Sequence, residues 1–155
     1  MTPERVVRRA ARVLLIDEAE RVLLIQGRDP AAPELGAWWI TPGGGREGDE
    51  SPEQAAVREV AEETGLRLTA VQGPVWHRST TFLFDGVLIE QHEDFFTARV
   101  PHFTATGSAL TDLEQRATLG MRWWSVEEID ETEERVFPEN LTDLLRTVLD
   151  REETA

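Results

Sequence analysis

The chain has 155 residues, enough for one domain with a real core and too few for two comfortable ones. Its 30 acidic residues outnumber 16 basic ones, all of them arginine, for a formal net charge of −14; a uniformly acidic surface repels nucleic-acid backbones, so long RNA or DNA is not an expected partner. With no cysteine in the sequence, disulfides, thiolate metal sites and a cysteine nucleophile are excluded.

Arg5, Arg8, Arg9 and Arg12 imitate the basic region of a signal peptide, but Asp17 cuts off the apolar stretch behind them and no small-residue cleavage site follows. The longest apolar runs, Val13 to Ile16 and Val22 to Ile25, fall far below the roughly 18 consecutive apolar residues of a membrane span. The expectation is a cytoplasmic chain with no membrane partner. Ala11 to Ile16 and Arg21 to Gln26 are rich in Val, Leu and Ile and are separated by a polar interval of hairpin length, which predicts two antiparallel strands. Arg28 to Gly36, with Pro30 and Pro33, reads as a loop, and Trp38 to Thr41 as a short strand running into Pro42-Gly43-Gly44-Gly45.

Ser51 opens the clearest helix: it is an N-cap, Pro52 takes the first helical position, Gln54 completes a capping box, and Gly65 is the left-handed stop. Leu68 to His77, Thr80 to Phe84 and Val87 to Val100 read as further strands, with Asp85-Gly86 as a hairpin turn. Pro101 to Leu119 reads as a long polar loop, of the kind that often carries function. Met121 to Ser125 predicts one more strand, and Leu141, Leu144, Leu145, Val148 and Leu149 predict an amphipathic C-terminal helix. Hairpins, helix, hairpins, helix in that order predict an α+β domain, a layered αβα sandwich with a mixed β-sheet between helices, as a single domain over residues 1–155.

The capped helix carries Glu59, Glu62 and Glu63 at i, i+3 and i+4, so the three carboxylates lie within about one turn. Like charges at this spacing repel and raise one another's pKa. Arg58 can reach Glu62, yet one guanidinium cannot neutralise three carboxylates; a divalent cation can. Hard oxygen ligands suit Mg²⁺ or Mn²⁺, and glycines just before the helix let backbone approach an ion or phosphate closely. Acidic helices are nevertheless usually just solvated, so the three glutamates gain meaning only from the order of residues around them.

From Gly44 the chain reads GGREGDESPEQAAVREVAEETGL: Gly44, five residues, Glu50, seven residues, Arg58-Glu59, apolar Val60, one residue, Glu62-Glu63, one residue, Gly65, apolar Leu66. This resembles the Nudix box at every defined position, a match expected by chance at a given start on the order of once in a billion. The resemblance implies a Nudix-type fold and a Mg²⁺-dependent hydrolase, with Mn²⁺ as a possible substitute, in which water attacks a diphosphate bridge. It implies that Glu59, Glu62 and Glu63 are metal ligands or metal-water contacts. It also implies that Arg58 and Glu50 orient the helix carboxylates and that a carbonyl near Gly43 or Gly44 adds a ligand. Elementary chemistry agrees, since displacement at phosphorus needs mainly positioning and charge neutralisation.

Many members of that family place a further glutamate in a late loop facing the metals. Glu114 is the candidate for this general base, with Asp112, Glu93 and Asp94 as rivals. Neighbouring strand residues point to opposite faces, so one of Trp38 and Trp39 can edge a base-binding cleft, with Trp38 the candidate, although core packing for both is the plainer reading. Arg28 and Arg46 flank the glycine segment and are candidates for gripping substrate phosphate. His77, His92 and His102 show no ligand spacing.

The expected substrate is a small nucleotide-like diphosphate, either a nucleoside diphosphate derivative or a nucleoside triphosphate, and the expected assembly a monomer or homodimer. Thr80 stands where ADP-ribose pyrophosphatases of this scaffold carry a proline, and the tyrosine of dinucleoside polyphosphate hydrolases has no counterpart, which places triphosphate cleavage ahead of an ADP-ribose or sugar-nucleotide pyrophosphatase. A non-catalytic nucleotide sensor on the same fold is the alternative from another class, although such proteins usually lose box glutamates. An isopentenyl diphosphate isomerase would need a cysteine, and an RNA-decapping enzyme a basic groove.

Overall fold

The computed structural model of the chain describes residues 5–106, 110 and 112–154. In chain order the elements are β1 (Arg5–Ile16), β2 (Val22–Arg28), β3 (Ala37–Ile40), β4 (Gly43–Gly45), α1 (Pro52–Thr64), β5 (Gln72–Phe84), β6 (Val87–Arg99), α2 (Asp112–Ala117), β7 (Thr118–Trp124), α3 (Val126–Glu131), β8 (Val136–Phe137) and α4 (Leu141–Thr154).

β1 is buried on both faces from Ala10 onward, and its alternation sorts the core into two layers. Ala11, Val13 and Leu15 join Ala55, Ala56 and Val60 of α1 in one cluster, whereas Leu14 and Ile16 join Val126 and Ile129 of α3 and Leu141, Leu144, Leu145 and Val148 of α4 in the other. Helices therefore cover both sides of the sheet, and the expected αβα sandwich is what forms. The sheet is mixed: β1 runs parallel to β6 from Arg5↔Leu88 to Ile16↔Arg99, β3 runs parallel to β8, and the remaining pairs are antiparallel. The strand order is β5-β6-β1-β2-β3-β8, with β4 added to β1 and β7 to β2.

Several boundaries differ from the sequence expectation, each through pairing between distant segments. β1 begins at Arg5 rather than Ala11, because its polar first half is held by β6. The two strands expected at 68–77 and 80–84 are one strand, β5. The glycine segment is itself a strand, with Ala11 opposite Gly44 and Arg12 opposite Gly43. The stretch expected to be a loop, 101–119, contains α2 and the start of β7. α3 and β8 were not anticipated, although α3 opens on a Ser125/Glu128 capping box whose spacing is plain in the sequence.

α1 forms as its sequence dictates. Gln54 N–H donates to Ser51 Oγ at 3.1 Å, Ser51 N–H donates to Gln54 Oε1 at 2.9 Å, and Gly65 closes the helix at φ 83°. Among the described residues no helix is long and apolar enough to cross a membrane.

Candidate active site

The site lies where α1 passes over β4. The apolar stripe of α1 turns the helix so that Glu59 and Glu63, one turn apart, share the buried side with Ala55, Ala56 and Val60. Each carboxylate meets a glycine of β4. Gly43 N–H donates to Glu63 Oε1 at 2.8 Å. A Cβ at Gly44 would stand 2.6 Å from Glu59 Oε1, so only glycine leaves that carboxylate its place. Behind them Arg12, from β1, donates through Nη1 to the carbonyls of Thr41 and Gly43 and through Nε to Glu93 at 2.8 Å, which fixes the backbone bearing the Gly43 N–H.

Arg58 fixes the other side. Its Nε and Nη2 donate to the two oxygens of Glu50 at 2.7 and 2.9 Å, Nη2 also donates to the Gly45 carbonyl, and Nη1 reaches Glu59 at 3.1 Å and Glu62 at 3.2 Å. Hydrogen bonds to Glu50 first, and the Glu59 charge after them, hold Arg58 above the ordinary arginine range. Arg58 in turn holds the Glu50 carboxyl below the usual value.

Glu114, delivered by α2, completes the constellation: one carboxylate oxygen from each of Glu59, Glu63 and Glu114 lies within 4.8 Å of the others. Burial, reinforced by the Glu59 charge, pushes Glu63 well above the ordinary glutamate value of 4.5, against the pull of Arg12 and the Gly43 N–H. Burial also raises Glu59; Arg58 opposes the shift, while the charges of Glu114 and Glu62 add to it. Glu59 Oε2 is buried without a hydrogen-bond partner among the described residues. Three hard oxygen donors at this separation, with an orphaned oxygen on the Glu59 carboxylate, fit a hard divalent cation.

Among the described residues the group drawn within 4.8 Å is Glu59, Glu63 and Glu114, whereas Glu62, one position before Glu63, is half-buried and pairs with Arg58. Two of the other acids considered for the base, Glu93 and Asp94, have partners outside the cluster. Glu93 is fully buried between Arg12 and Arg78, and although burial pushes its carboxyl up, the two arginines hold it below the usual range. Asp94 pairs with His77 at 2.9 Å, and the Asp112 side chain lies outside what the structure describes.

Trp39 is core, edge-on to Trp124 at 5.1 Å, whereas Trp38 is half-buried between Phe84 and the Arg135 guanidinium. Arg28, at the end of β2, is exposed. Arg46 is exposed as well and acts on Glu50 through its charge. Among the described residues no hydrogen bond or ion pair joins Arg28, Arg46 or Trp38 to the carboxylate cluster. Arg12 and the Gly43 amide were missed as positioning groups, since both act through the pairing of β1 with β4.

A mixed sheet between helices, with a glycine strand that seats buried glutamates of a capped helix, defines the class: an αβα domain that gathers hard oxygen donors over a glycine strand. The chain belongs to the Nudix family, for the model described as NUDIX domain matches residues 6–145. It is 44% identical over 66 residues to mouse diphosphoinositol polyphosphate phosphohydrolase 3-alpha, covering 42% of this chain and 37% of that one. It is 38% identical over 56 residues to the 8-oxo-dGTP diphosphatase of Proteus vulgaris, covering 36% and 48%. The matched stretches thus span less than half of either relative. The crystal structure of a MutT protein from Methanosarcina mazei Go1 superposes with a TM-score of 0.64 at 20% identity, covering 99% of this chain and 100% of the other, and shares the fold.

Proposed function

We propose that the chain is a Mg²⁺-dependent hydrolase that cleaves a diphosphate linkage in a nucleoside triphosphate or a nucleoside diphosphate derivative, with water attacking phosphorus. The observation that carries this reading is the approach of Glu59, Glu63 and Glu114 to within 4.8 Å, with an unpartnered buried oxygen on Glu59. Glu59 and Glu63, with a carbonyl of the Gly43–Gly44 segment and with Glu62 directly or through water, would hold the metal beside Glu114; Mn²⁺ has the same ligand preference. A divalent cation bound there would supply charge neutralisation on phosphoryl oxygens and make an attacking water more acidic.

The chain's own residues do the positioning. Gly43 N–H holds Glu63, Arg58 holds Glu59 and Glu62, and Glu50 anchors Arg58. Glu114, half-buried at the rim of the cluster, accepts the proton of the attacking water. Arg28 and Arg46 meet substrate phosphate from the flanks, and Trp38 borders the nucleobase.

The test is direct. The purified chain is incubated with Mg²⁺ and nucleoside triphosphates, sugar nucleotides, ADP-ribose and dinucleoside polyphosphates in ¹⁸O-labelled water, and the products and the labelled phosphorus are identified. Turnover of a nucleoside triphosphate that stops when Mg²⁺ is chelated is the expected result. No turnover of any substrate, together with no Mg²⁺ binding at Glu59 and Glu63, would overturn the reading.

A further inference from the structure

Two arginines stand side by side on the face of the sheet that carries the carboxylates. The antiparallel ladder between β1 and β4 pairs Ala11 with Gly44 and Ala10 with Gly45, and its next step is Arg9 with Arg46, where Arg46 N–H donates to the Arg9 carbonyl at 2.9 Å. The two residues are therefore directly opposite, at the spacing of about 5.5 Å between Cα atoms that such a hydrogen-bonded pair takes. Alternation puts both side chains on the face of Ala11 and Gly44, two residues or about 7 Å along the strands from the point where a Gly44 Cβ would meet Glu59. Gly45, between them, faces Arg8 on the other side of the sheet. Ala11 packs with Ala55, Ala56 and Val60 of α1, which fixes the Arg9 and Arg46 face as that of the site.

Both side chains are exposed, and among the described residues neither guanidinium donates a hydrogen bond or meets a carboxylate within ion-pair distance. Acids outnumber arginines 30 to 16 in this chain, so a bare pair of arginines does not reflect a shortage of partners. The acids around them are engaged elsewhere: Glu50 with Arg58, Glu90 with Arg5, and Asp94 with His77. His92, in register with Arg9 on β6, is held by Ser79 and Glu90. Like charges directly opposite in a ladder destabilise the pairing. An anion within reach of both removes that cost, and two adjacent guanidinium forks match the acceptors of a phosphoryl group.

We propose that Arg9 and Arg46 jointly bind a phosphoryl group of the substrate that lies outside the scissile diphosphate, and so favour substrates carrying at least one phosphate more than that linkage. This rests on the hydrolase reading above and adds Arg9 to it as a specificity-determining residue, with Arg46 as its partner. The further phosphate is either the end of a linear chain, as in a nucleoside triphosphate, or a monoester elsewhere on a diphosphate derivative.

Arg9→Gln, Arg9→Lys, Arg46→Gln and the Arg9→Gln/Arg46→Gln double variant are compared with the unaltered chain on ADP-ribose, on ADP-ribose 2′-phosphate and on a nucleoside triphosphate. Arg67→Gln, at an exposed arginine beyond the C-terminal end of α1, controls for the change in net charge. In Arg9→Gln the ratio of kcat/KM for a substrate with the further phosphate to that for ADP-ribose should fall about tenfold, mainly through KM, with partial recovery in Arg9→Lys. A fall for the triphosphate alone locates the phosphate on a linear chain, and a fall for the 2′-phosphate alone locates it on a monoester. The double variant should lose less than the product of the two single losses, since both residues hold one group. Titration calorimetry in Mg²⁺ with methylene-bridged, non-hydrolysable analogues of the same three compounds should show the same selective loss of affinity. If hydrolysis proceeds and the loss in Arg9→Gln is absent, equal for all three compounds or matched by Arg67→Gln, the Arg9 assignment is overturned while the hydrolase reading stands. If the unaltered chain hydrolyses none of them, the hydrolase reading falls and the affinities alone decide Arg9.

Discussion

Gly44 and Glu59 are locked together by the lack of a side chain on one of them: a Cβ at Gly44 would lie 2.6 Å from Glu59 Oε1 and 2.7 Å from its Cδ. The atoms it meets are the mobile end of a side chain, so Gly44→Ala should fold with a stability loss under about 1 kcal/mol. The displaced carboxylate, however, should lower kcat/KM by about a hundredfold. Gly43→Ala should fail differently. Its Cβ would stand 2.1 Å from the Ala11 carbonyl, at φ 148°, so the fold itself loses stability, by about 2 kcal/mol or more. Melting curves and steady-state rates on both variants separate the two cases, and a fully active Gly44→Ala would contradict the placement of Glu59.

Metal and pH act on the same pair of acids. Glu63 and Glu59 have folded pKa values raised above 4.5, so between that value and the raised ones the native state holds more protons than the unfolded chain. Their contribution to stability is fully present below about pH 4.5 and is lost as pH rises through the raised values. Asp17 and Glu93 have the opposite sign: the carboxyls are held low, and their contribution is lost as pH falls below the ordinary range. Metal-free protein should therefore melt at progressively lower temperature from pH 4.5 to 7. Glu63→Gln should flatten that decline, and Mg²⁺ should reverse it in the unaltered chain only.

Glu63→Gln also tests the chemistry. The amide oxygen can still accept the Gly43 N–H, so the fold should persist while Mg²⁺-dependent turnover drops by about a hundredfold or more. Rates near those of the unaltered chain would refute the assignment of Glu63 as a ligand.

Glu114→Gln should lower kcat by a factor on the order of a hundred to ten thousand with a smaller change in KM, as expected when a proton acceptor is removed. A kinetically silent variant would move the base to another residue.

Arg58→Lys keeps the charge but cannot span both oxygens of Glu50 and still reach Glu59 and Glu62. Its expected effect is a tenfold to hundredfold weakening of Mg²⁺ affinity, on the scale usual for groups that orient metal ligands. Titration calorimetry measures this directly, and unchanged affinity would show that Arg58 serves the helix alone.

What could be read in advance was what the chain encodes locally. The cap at Ser51, the stop at Gly65 and the one-turn spacing of the acids all act over a few residues, and α1 formed as expected. The rotation of that helix was also written in it. Ala55, Ala56 and Val60 mark the inner stripe, and Glu59 and Glu63 fall on it while Glu62 does not. The charge pattern alone had treated the three acids as equivalent. The β4 strand, the polar half of β1 and the row of arginines depend on which distant strand lies alongside, and pairing between strands is decided by packing that no short window contains. Arg8 and Arg12 stood in view as part of a basic N-terminal segment. Only the pairing with β6 shows that alternation puts these two on the face of Gln91 and Glu93, and sends Arg9 to the other.

The capped start of α1 also sets how this chain can tolerate changes in length. Each residue added after Ser51 would turn everything beyond it by about 100° around the helix axis. A single insertion before Glu59 would swing Glu59 and Glu63 off the glycine strand while leaving the composition almost untouched. The exposed segment from Arg46 to Asp49 has no such phase to keep. Insertions and deletions compatible with a working site should therefore collect ahead of Ser51, and the interval from Ser51 to Glu63 should stay fixed in length.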